Sequence, residues 1–486
     1  MSTSKNEFIA AIELGSSKLI AMVGYMQPDG NLNVLATKEI PSASFMLYGA
    51  VHNLEKTKSS IKEAIDELQE RLQKRIAKVY VALECQGMHS VIVSQKLTYT
   101  SDTITQEMVD QMQAEAKTNH QPSLMTHHSY PIEYRVGGQT LTTDPVGVLG
   151  ETLEGKFVNI ITRRTIFENL ERSFNDTGLE DVSFRISTRA LKSAILGESE
   201  TRSSCLLIDF GAQLTTVAIY NKSKLHHLAV LPLGSAHITK DLMSLGIEEA
   251  EAEMLKRKFG VAFTDLNVTE EVTDNDYLLS DGRTVKQSLI VEIVEARMQE
   301  ILTNVREQMR MNHYRPEDLL GGVIITGGGS NIKYLREAAT HILGIDKVRI
   351  ATHPHFGIVG EIQSLNIESG AYNTIFGLIK RAKDNCCGGD LKANEPQDLF
   401  GDVQDTPPTE NPSEPVKTQP NVTIEGAAKP EREEPAKIMP QAKEPLPPGD
   451  DEEEEEEKNK TMFGRVKSFF TTFLGTGDTR DEDDSM

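Results

Sequence analysis

One structural plan occurs twice in this sequence. Residues 8–15 form an apolar run that ends in a polar glycine turn, and residues 205–211 repeat both the run and the turn. In each place a second β-like run follows, at 18–24 and at 215–220. Such paired runs predict a β-hairpin, here with an acidic residue and a glycine near its tip. Because the unit is duplicated in distant parts of the chain, we expect two homologous domains that lie side by side.

The sequence around these hairpins mixes helix and strand. Residues 55–76 and 288–311 carry apolar side chains at helical spacing, which predicts two amphipathic helices. A third glycine turn, at 324–330, follows a β-rich run, and we expect a helix to begin at Ile332. The chain has 486 residues, more than the roughly 250–300 at which single cores stop growing, so we predict an α/β fold of several domains.

The three glycine turns indicate a site for phosphates. Backbone N–H groups in tight turns hold phosphates where a side chain would block the approach. One such turn alone is typical of an ordinary loop, but three in one chain favour a binding cleft. The Asp209 carboxylate suits Mg²⁺ or its waters. The candidate residues are Gly15, Ser16, Ser17, Lys18, Asp209, Gly211, Ala212, Gln213, Gly327, Gly328 and Gly329.

The order of the turns resembles the actin, sugar-kinase and heat-shock chaperone superfamily. The resemblance implies an actin-like fold of two α/β domains with duplicated ribonuclease-H-like cores, and ATP with Mg²⁺ in the cleft between them. It implies that residues 15–18 and 209–213 grip the phosphates and that residues 327–330 face the nucleoside. It also implies site roles for Thr215, Gly234 and Ser330, and contacts of Glu253 and Lys256 with the ribose or adenine, from the Ala-Glu-x-Leu-Lys pattern at 252–256.

Further motifs resemble the FtsA family of bacterial cell-division proteins. They lie at residues 9–18, 130–138, 144–155, 231–241 and 293–301, in the order and spacing of that family. There are also departures. Glu13 stands where most of the superfamily has Asp, and Gln213 and Leu214 add bulk to the second turn. We therefore expect ATP to bind and to be hydrolysed weakly at most.

The resemblance predicts the organisation of the chain. The expected parts are a first actin-like domain (1–85 and 166–200), an inserted FtsA-type subdomain (86–165), a second actin-like core (201–236 and 304–387), a nucleotide-side subdomain (237–303), a disordered acidic and proline-rich linker (388–458), a membrane-targeting amphipathic helix (459–475) and an acidic tail (476–486).

Charge and cysteine content narrow the possible functions. The formal net charge is −22 at pH 7, and the acidic residues are concentrated after residue 388, where prolines are frequent and large apolar residues few. Such a segment buries too little apolar surface to fold. The mildly acidic body has no basic surface for nucleic acid. The four scattered cysteines fit a reducing compartment rather than a disulfide framework.

The C-terminal segment is predicted to form a helix that lies in a membrane interface. At helical spacing its apolar side chains share one face, Arg465 and Lys467 lie at the two edges of that face, and Ser468, Thr471 and Thr472 lie opposite. A helix that docks on the body or in a partner's groove is the alternative. No stretch is long and apolar enough to span a bilayer, and Glu13 and Lys18 argue against a signal peptide. The apolar face comprises Met462, Phe463, Val466, Phe469, Phe470, Phe473 and Leu474.

The FtsA resemblance implies a function in cell division. It implies a protein that tethers the tubulin-like protein FtsZ to the cytoplasmic face of the inner membrane at the division site. FtsZ would contact the region 304–347. It also implies self-assembly into actin-like filaments and contacts with other division proteins through the inserted subdomain. The alternatives are a pilus-assembly actin-like protein and a small-molecule kinase of the same superfamily.

Overall fold

The computed structural model describes residues 7–99, 103–118, 121–138, 140–264, 275–363 and 365–391. Most of the predicted linker, the predicted terminal helix with its membrane-facing residues, and the acidic tail lie outside these residues. Among the helices that are described, none has the length and apolar character needed to cross a bilayer.

The described residues form both strands and helices. The strands are β1 (Ile9–Leu14), β2 (Lys18–Met26), β3 (Leu32–Pro41), β4 (Met46–Leu47), β5 (Ala50–Val51), β6 (Lys74–Ile76), β7 (Lys78–Leu83), β8 (His89–Thr98), β9 (Leu124–Val136), β10 (Thr140–Thr142), β11 (Thr152–Arg163), β12 (Asp181–Ile186), β13 (Cys205–Phe210), β14 (Thr215–Asn221), β15 (Lys224–Leu231), β16 (Asp276–Leu278), β17 (Thr284–Lys286), β18 (Gly322–Thr326), β19 (Val348–Ile350), β20 (Ile358–Gly360) and β21 (Cys387–Asp390). The helices are α1 (Leu54–Leu72), α2 (Gln106–Thr118), α3 (Arg164–Arg172), α4 (Ser187–Ile195), α5 (Glu198–Arg202), α6 (Ser235–Met243), α7 (Glu249–Phe259), α8 (Gln287–Met311), α9 (Leu335–Leu343) and α10 (Asn373–Arg381), with 3₁₀ turns at Pro316–Asp318, Gly328–Asn331 and Ile367–Ser369.

Two sheets contain the same five-stranded unit, which confirms the predicted duplication. In the first sheet the order is β12-β7-β1-β2-β3, with β20 added at the edge. The strands β1, β2 and β3 are antiparallel, whereas β7 and β12 run parallel to β1. In the second sheet β19-β18-β13-β14-β15 repeats this order and these directions. We call these two units the first lobe and the second lobe.

An additional unit is inserted between β7 and β12 of the first lobe. Strands β8, β11, β9 and β10 form an antiparallel sheet that α2 covers on one side. Its own core includes Met112, Tyr134 and Phe157. This sheet continues the second sheet, because Ala229 of β15 pairs with His89 of β8. The insertion therefore lies in the sequence of the first lobe but adjoins the second lobe in space.

Helix α10 follows the second lobe in the sequence but packs on β1, β2 and β7 of the first lobe and against α4. A Cβ atom added to Gly377 of α10 would lie 2.1 Å from the backbone oxygen of Ala190 in α4. The absence of a side chain at residue 377 therefore lets the two helix backbones approach closely. The Ser193 hydroxyl donates to the same turn of α10, at 3.3 Å from the Gly377 oxygen.

Three predicted boundaries differ from the structure. Helix α1 ends at Leu72 rather than at residue 76, because Gln73 adopts the left-handed conformation and β6 pairs with β21. The helix expected from Ile332 begins at Leu335, after a 3₁₀ turn. Strand β21 crosses residue 388, at which the linker was predicted to begin, since its pairing with β6 keeps the chain on the first lobe.

A buried histidine connects the insertion to the second lobe. His227 of β15 is 6% exposed, and its ring nitrogens lie 3.1 Å from Ser90 Oγ of β8 and 3.2 Å from Gln308 Oε1 of α8. Burial lowers the pKa of His227 to about 4, although the contact with Gln308 acts in the opposite direction. The folded protein therefore keeps this side chain neutral at neutral pH.

The contribution of His227 to stability is expected to fall when the pH is lowered from about 6.5 to about 4. In this range the unfolded chain binds a proton at residue 227 and the folded chain does not, so acid favours unfolding by up to about 1.4 kcal/mol per pH unit. Urea unfolding at several pH values will measure this dependence. His227→Gln should reduce it, whereas His353→Gln, at an exposed position, should not. An unchanged pH dependence in His227→Gln would contradict the assignment.

Candidate functional site

The first glycine turn joins β1 to β2 in the first lobe. The Gly15 N–H donates to the Lys18 oxygen at 3.1 Å and closes a tight turn. A Cβ atom at Gly15 would lie 2.8 Å from that oxygen, so the turn needs glycine. Ser17 is exposed, and its backbone N–H donates to no other described group. This turn presents a free backbone donor at the end of the sheet.

The second turn joins β13 to β14 and repeats this geometry. The Gly211 N–H donates to the Leu214 oxygen at 2.8 Å, as the Gly15 N–H does to Lys18. A Cβ atom at Gly211 would lie 3.0 Å from the Leu214 oxygen. The backbone N–H groups of Ala212 and Gln213 also donate to no described group. The two lobes thus carry equivalent turns with unused donors.

The third turn packs directly against the second. Gly327 follows β18 and has a φ of +90°, a conformation that favours glycine. A Cβ atom there would lie 2.3 Å from Asp209 Oδ1 and 2.4 Å from the Phe210 oxygen. Gly329 is also close to the Phe210 oxygen, whereas Gly328 is exposed. The parallel pairing of β13 with β18 is what brings the two turns together.

Three carboxyl groups gather near the first and second turns. Glu13 and Asp209 occupy equivalent positions, each two residues before the turn glycine, and Glu84 directly follows β7, which pairs with β1. Burial and the charge of Glu84 raise the pKa of Glu13 to about 8, while Lys18 acts in the opposite direction. Burial and the charges of Glu84 and Glu13 also raise the pKa of Asp209 well above its usual range.

The carboxyl groups fit a divalent cation held through water. Glu13 Oε2 is buried and has no hydrogen-bond partner, which leaves an acceptor available for a water ligand. The mutual repulsion that raises the pKa of Asp209 would be relieved by a cation. In the described part of the chain no group of three such side chains is close enough to hold a metal directly. Mg²⁺ usually keeps several waters and binds through phosphates, so this arrangement suits it.

The Lys18 ammonium is bound within the protein. Its Nζ lies 2.8 Å from Glu39 Oε1 and 2.9 Å from the Tyr372 hydroxyl oxygen, and 4.1 Å from the centre of the Tyr372 ring. Burial would lower the pKa of Lys18, but these hydrogen bonds hold it above its usual value. Tyr372 directly precedes α10, so this contact joins the start of β2 to the helix that packs on the first sheet and against α4.

The predicted nucleoside-side residues lie at the start of α6 and on α7. A Cβ atom at Gly234 would lie 2.6 Å from the Ala212 oxygen, so α6 begins against the second turn. On α7, Lys256 Nζ lies 2.5 Å from Glu253 Oε2 and 3.1 Å from the Ser235 oxygen. Lys256 is buried, and Arg257 also donates to Glu253. The two predicted residues therefore form an ion pair behind the start of α6.

The hydroxyl groups of two predicted site residues form hydrogen bonds to the protein backbone. Thr215 is buried, and its hydroxyl donates to the Leu233 oxygen at 2.8 Å. Ser330 is buried, and its hydroxyl donates to the Gly327 oxygen at 2.7 Å. Both side chains shape their turns rather than face the cleft. A separate cavity of about 490 Å³ beside Phe174 and Phe184 contains no residue of the three turns.

The sequence analysis missed two components of this site. Glu84 follows an apolar run, as Asp209 does, and this repeated pattern could have revealed it. Its carboxylate accepts a hydrogen bond from the Thr216 hydroxyl, so it joins the first lobe to the second. The other component is a short hairpin at residues 46–51, whose contacts across the cleft leave no signal in its sequence.

Comparisons with known proteins agree with the fold. A chain of the solved PilM-PilN type IV pilus biogenesis complex is similar to this one with a TM-score of 0.54 and 16% sequence identity. The likeness covers 77% of this chain and 98% of that one. With the duplicated lobes and the inserted unit, it confirms the predicted actin-like α/β fold.

Sequence relatives are similar over most of the chain. The cell division protein FtsA of Pseudomonas aeruginosa is 26% identical over 406 residues, which cover 82% of this chain and 96% of that protein. The FtsA of Bacillus subtilis is 28% identical over 361 residues, which cover 73% of this chain and 81% of that protein.

Two family models match separate parts of the chain. The model for cell division protein FtsA matches residues 206–375, which include the second and third turns. The model for the SHS2 domain inserted in FtsA matches residues 86–162, which lie in the unit between β7 and β12. Both models describe FtsA, and they match the inserted unit and the second lobe of the same chain. This chain belongs to the FtsA family of cell division proteins.

Proposed function

We propose that this chain is an ATP-binding protein that tethers FtsZ polymers to the cytoplasmic face of the cell membrane during division. The main support for nucleotide binding is the pair of equivalent glycine turns with unused backbone donors, which lie beside a group of three carboxyl groups. Membership of the FtsA family supports the role in division. The domain limits given above remain predictions.

Each of the three turns would bind a different part of the nucleotide. The N–H groups of Ser17, Ala212 and Gln213 would bind phosphate oxygens, and residues 327–329 would face the nucleoside. Asp209 would hold Mg²⁺ through water, and the ion would neutralise phosphate charge when bound. The buried Glu253–Lys256 pair would support the start of α6 near the ribose or adenine.

Hydrolysis is expected to be weak. Fast hydrolysis needs a group that orients the attacking water. The Gln213 side chain, which extends from the second turn, instead accepts a hydrogen bond from the Tyr48 N–H at 2.7 Å. Leu214 is buried beside it. The second turn is therefore equipped to bind phosphates more than to activate water.

The predicted terminal helix would supply the membrane contact. Seven apolar side chains on one face, four of them phenylalanine, are sufficient for interfacial binding at about 1.5–3 kcal/mol for each large side chain. Acidic residues at 450–457 and 481–484 flank this helix and would be repelled by anionic lipids. We therefore propose that apolar burial, rather than charge, drives membrane binding.

Exposed apolar side chains support the proposed protein contacts. Ile92 and Leu149 of the inserted unit are 65% and 75% exposed, which suits contacts with other division proteins. In the region proposed to face FtsZ, Met311 and Leu320 are exposed. Self-assembly into actin-like filaments would use further surfaces of both lobes.

Recruitment of FtsZ to lipid vesicles tests the proposed function. The full-length chain is expected to carry purified FtsZ into the vesicle pellet, whereas a chain that lacks the last 27 residues should bind FtsZ and leave it in solution. Titration with ATP and Mg²⁺ should show saturable binding. If the chain binds vesicles but leaves FtsZ in the supernatant, the tethering function is wrong, and a phosphotransfer screen would then test the kinase alternative.

A further inference from the structure

A short hairpin lies between the two phosphate turns. Strands β4 and β5 pair through Met46 with Val51 and through Leu47 with Ala50. Tyr48 and Gly49 form the two-residue turn, with φ angles of +50° and +69°. We call residues 46–51 the Tyr48 hairpin.

The conformation of Tyr48 is unusual for its residue type. Two-residue turns with positive φ at both positions strongly favour Asn-Gly, because these two residue types tolerate that geometry. A bulky aromatic residue with positive φ is an outlier. Strained residues of this kind persist where the surroundings enforce them, and they occur frequently at functional sites.

The hairpin tip is fixed to the first lobe. The Gly49 N–H donates to Ser16 Oγ at 3.0 Å, and the Gln86 N–H donates to the Tyr48 oxygen at 2.9 Å. A Cβ atom at Gly49 would lie 2.4 Å from the Glu84 oxygen and 3.0 Å from Leu214 Cδ1. The tip therefore fits tightly between the end of β7 and the second turn.

The same tip reaches the second lobe through Tyr48. The Tyr48 N–H donates to Gln213 Oε1 at 2.7 Å, and its hydroxyl lies 3.3 Å from His237 Nε2 on α6. The two rings are stacked with centroids 6.0 Å apart. His237 in turn contacts the Gly234 N–H, at the start of α6, at 3.1 Å. One strained residue thus connects the second turn and α6 to a hairpin that also holds the first turn.

We propose that Tyr48 is a positioning residue that holds the two phosphate turns at a fixed separation and thereby limits the rate at which ATP leaves the cleft. The inference rests on the proposed nucleotide binding. Asparagine would suit the turn better, but its side chain is too short to reach α6. The tyrosine side chain is long enough to reach α6, and this contact explains why a strained tyrosine occupies the turn. Gln213, whose bulk departs from the superfamily pattern, serves as the acceptor across the cleft.

The test compares ATP release from variants of the full-length chain. Tyr48→Phe removes only the hydroxyl contact with His237, and Gln213→Ala removes the acceptor for the Tyr48 N–H. A contact of this strength corresponds to about a 2- to 10-fold faster dissociation of a fluorescent ATP analogue. Tyr25→Phe is the matched control, because the Tyr25 hydroxyl accepts from Asn33 at 2.9 Å within the first sheet. This control variant should release the ATP analogue at the wild-type rate.

A second measurement separates this inference from nucleotide binding itself. Without ATP, Gln213→Ala should speed amide hydrogen exchange at Gly49 and over residues 235–237, on opposite sides of the contact. Unchanged ATP release in both cleft variants would overturn the inference. If the wild-type chain binds no ATP, the proposed function fails, and unchanged exchange at these amides would then overturn the positioning role as well. A merely structural role would lower thermal stability and leave the release rate of Tyr48→Phe equal to that of the wild type.

Discussion

Replacing Phe469 and Phe470 by glutamate is expected to abolish binding of this chain to lipid vesicles. Both residues belong to the apolar face of the predicted terminal helix. Burial of one phenylalanine contributes about 2–3 kcal/mol, so losing two lowers the partition coefficient by at least about 100-fold. The two new carboxylates would add an unfavourable charge at the interface. Vesicle flotation of the full-length protein measures the effect.

Thr471→Glu with Thr472→Glu provides the matched control. It adds the same two charges at neighbouring positions, but on the opposite face of the predicted helix. If apolar burial drives binding, this variant should still float with the vesicles, and raising the salt concentration should change flotation little. Equal loss in both double variants would mean that charge near the helix, rather than its apolar face, decides binding. Full flotation of the phenylalanine variant would remove the terminal helix as the membrane anchor.

The substitution Gly327→Ala is expected to destabilise the protein and to weaken ATP binding at least tenfold. A φ of +90° is strained for alanine, and the new methyl group would overlap Asp209 Oδ1 and the Phe210 oxygen. Strain and overpacking together should lower the free energy of unfolding by about 2–5 kcal/mol. Any relaxation would displace Asp209 and the second turn, so binding should fall even where the protein remains folded. Urea unfolding and ATP titration measure the two effects.

Gly328→Ala is the control for this substitution. The neighbouring glycine is exposed, and an added Cβ would meet only the Ala371 methyl group at 3.6 Å, an ordinary contact. This variant should keep nearly wild-type stability. If Gly327→Ala is as stable as Gly328→Ala and binds ATP normally, the close packing of the third turn against the second does not matter for the site.

The local parts of this protein could be predicted from the sequence. Both duplicated hairpins form where expected, since β1 and β2, like β13 and β14, are neighbours in the chain and pair through a short turn. The glycines of the three turns were identifiable because tight backbone approach demands that residue type. Helices α1 and α8 were predicted from their apolar periodicity, although not all of their limits were correct.

The contacts across the cleft could not be predicted in this way. Glu84 comes close to the first and second turns because β7 pairs in parallel with β1, after a long connection through α1. The Lys18 ammonium donates a hydrogen bond to Tyr372, a residue near the C-terminal end of the described chain. The hydroxyls of Thr215 and Ser330 turn inward to backbone oxygens of their own lobe. None of these partners follows from spacing along the chain.

The sequence alone determined the duplicated hairpins, the three glycine turns and the apolar periodicity of the helices, because each depends on residues that are near one another in the chain. Only the tertiary structure decided that Glu13, Glu84 and Asp209 share one region, and that Tyr48 reaches Gln213 and His237. Such contacts form when distant segments pack together, and their energies depend on distances of a few ångströms that residue order does not encode.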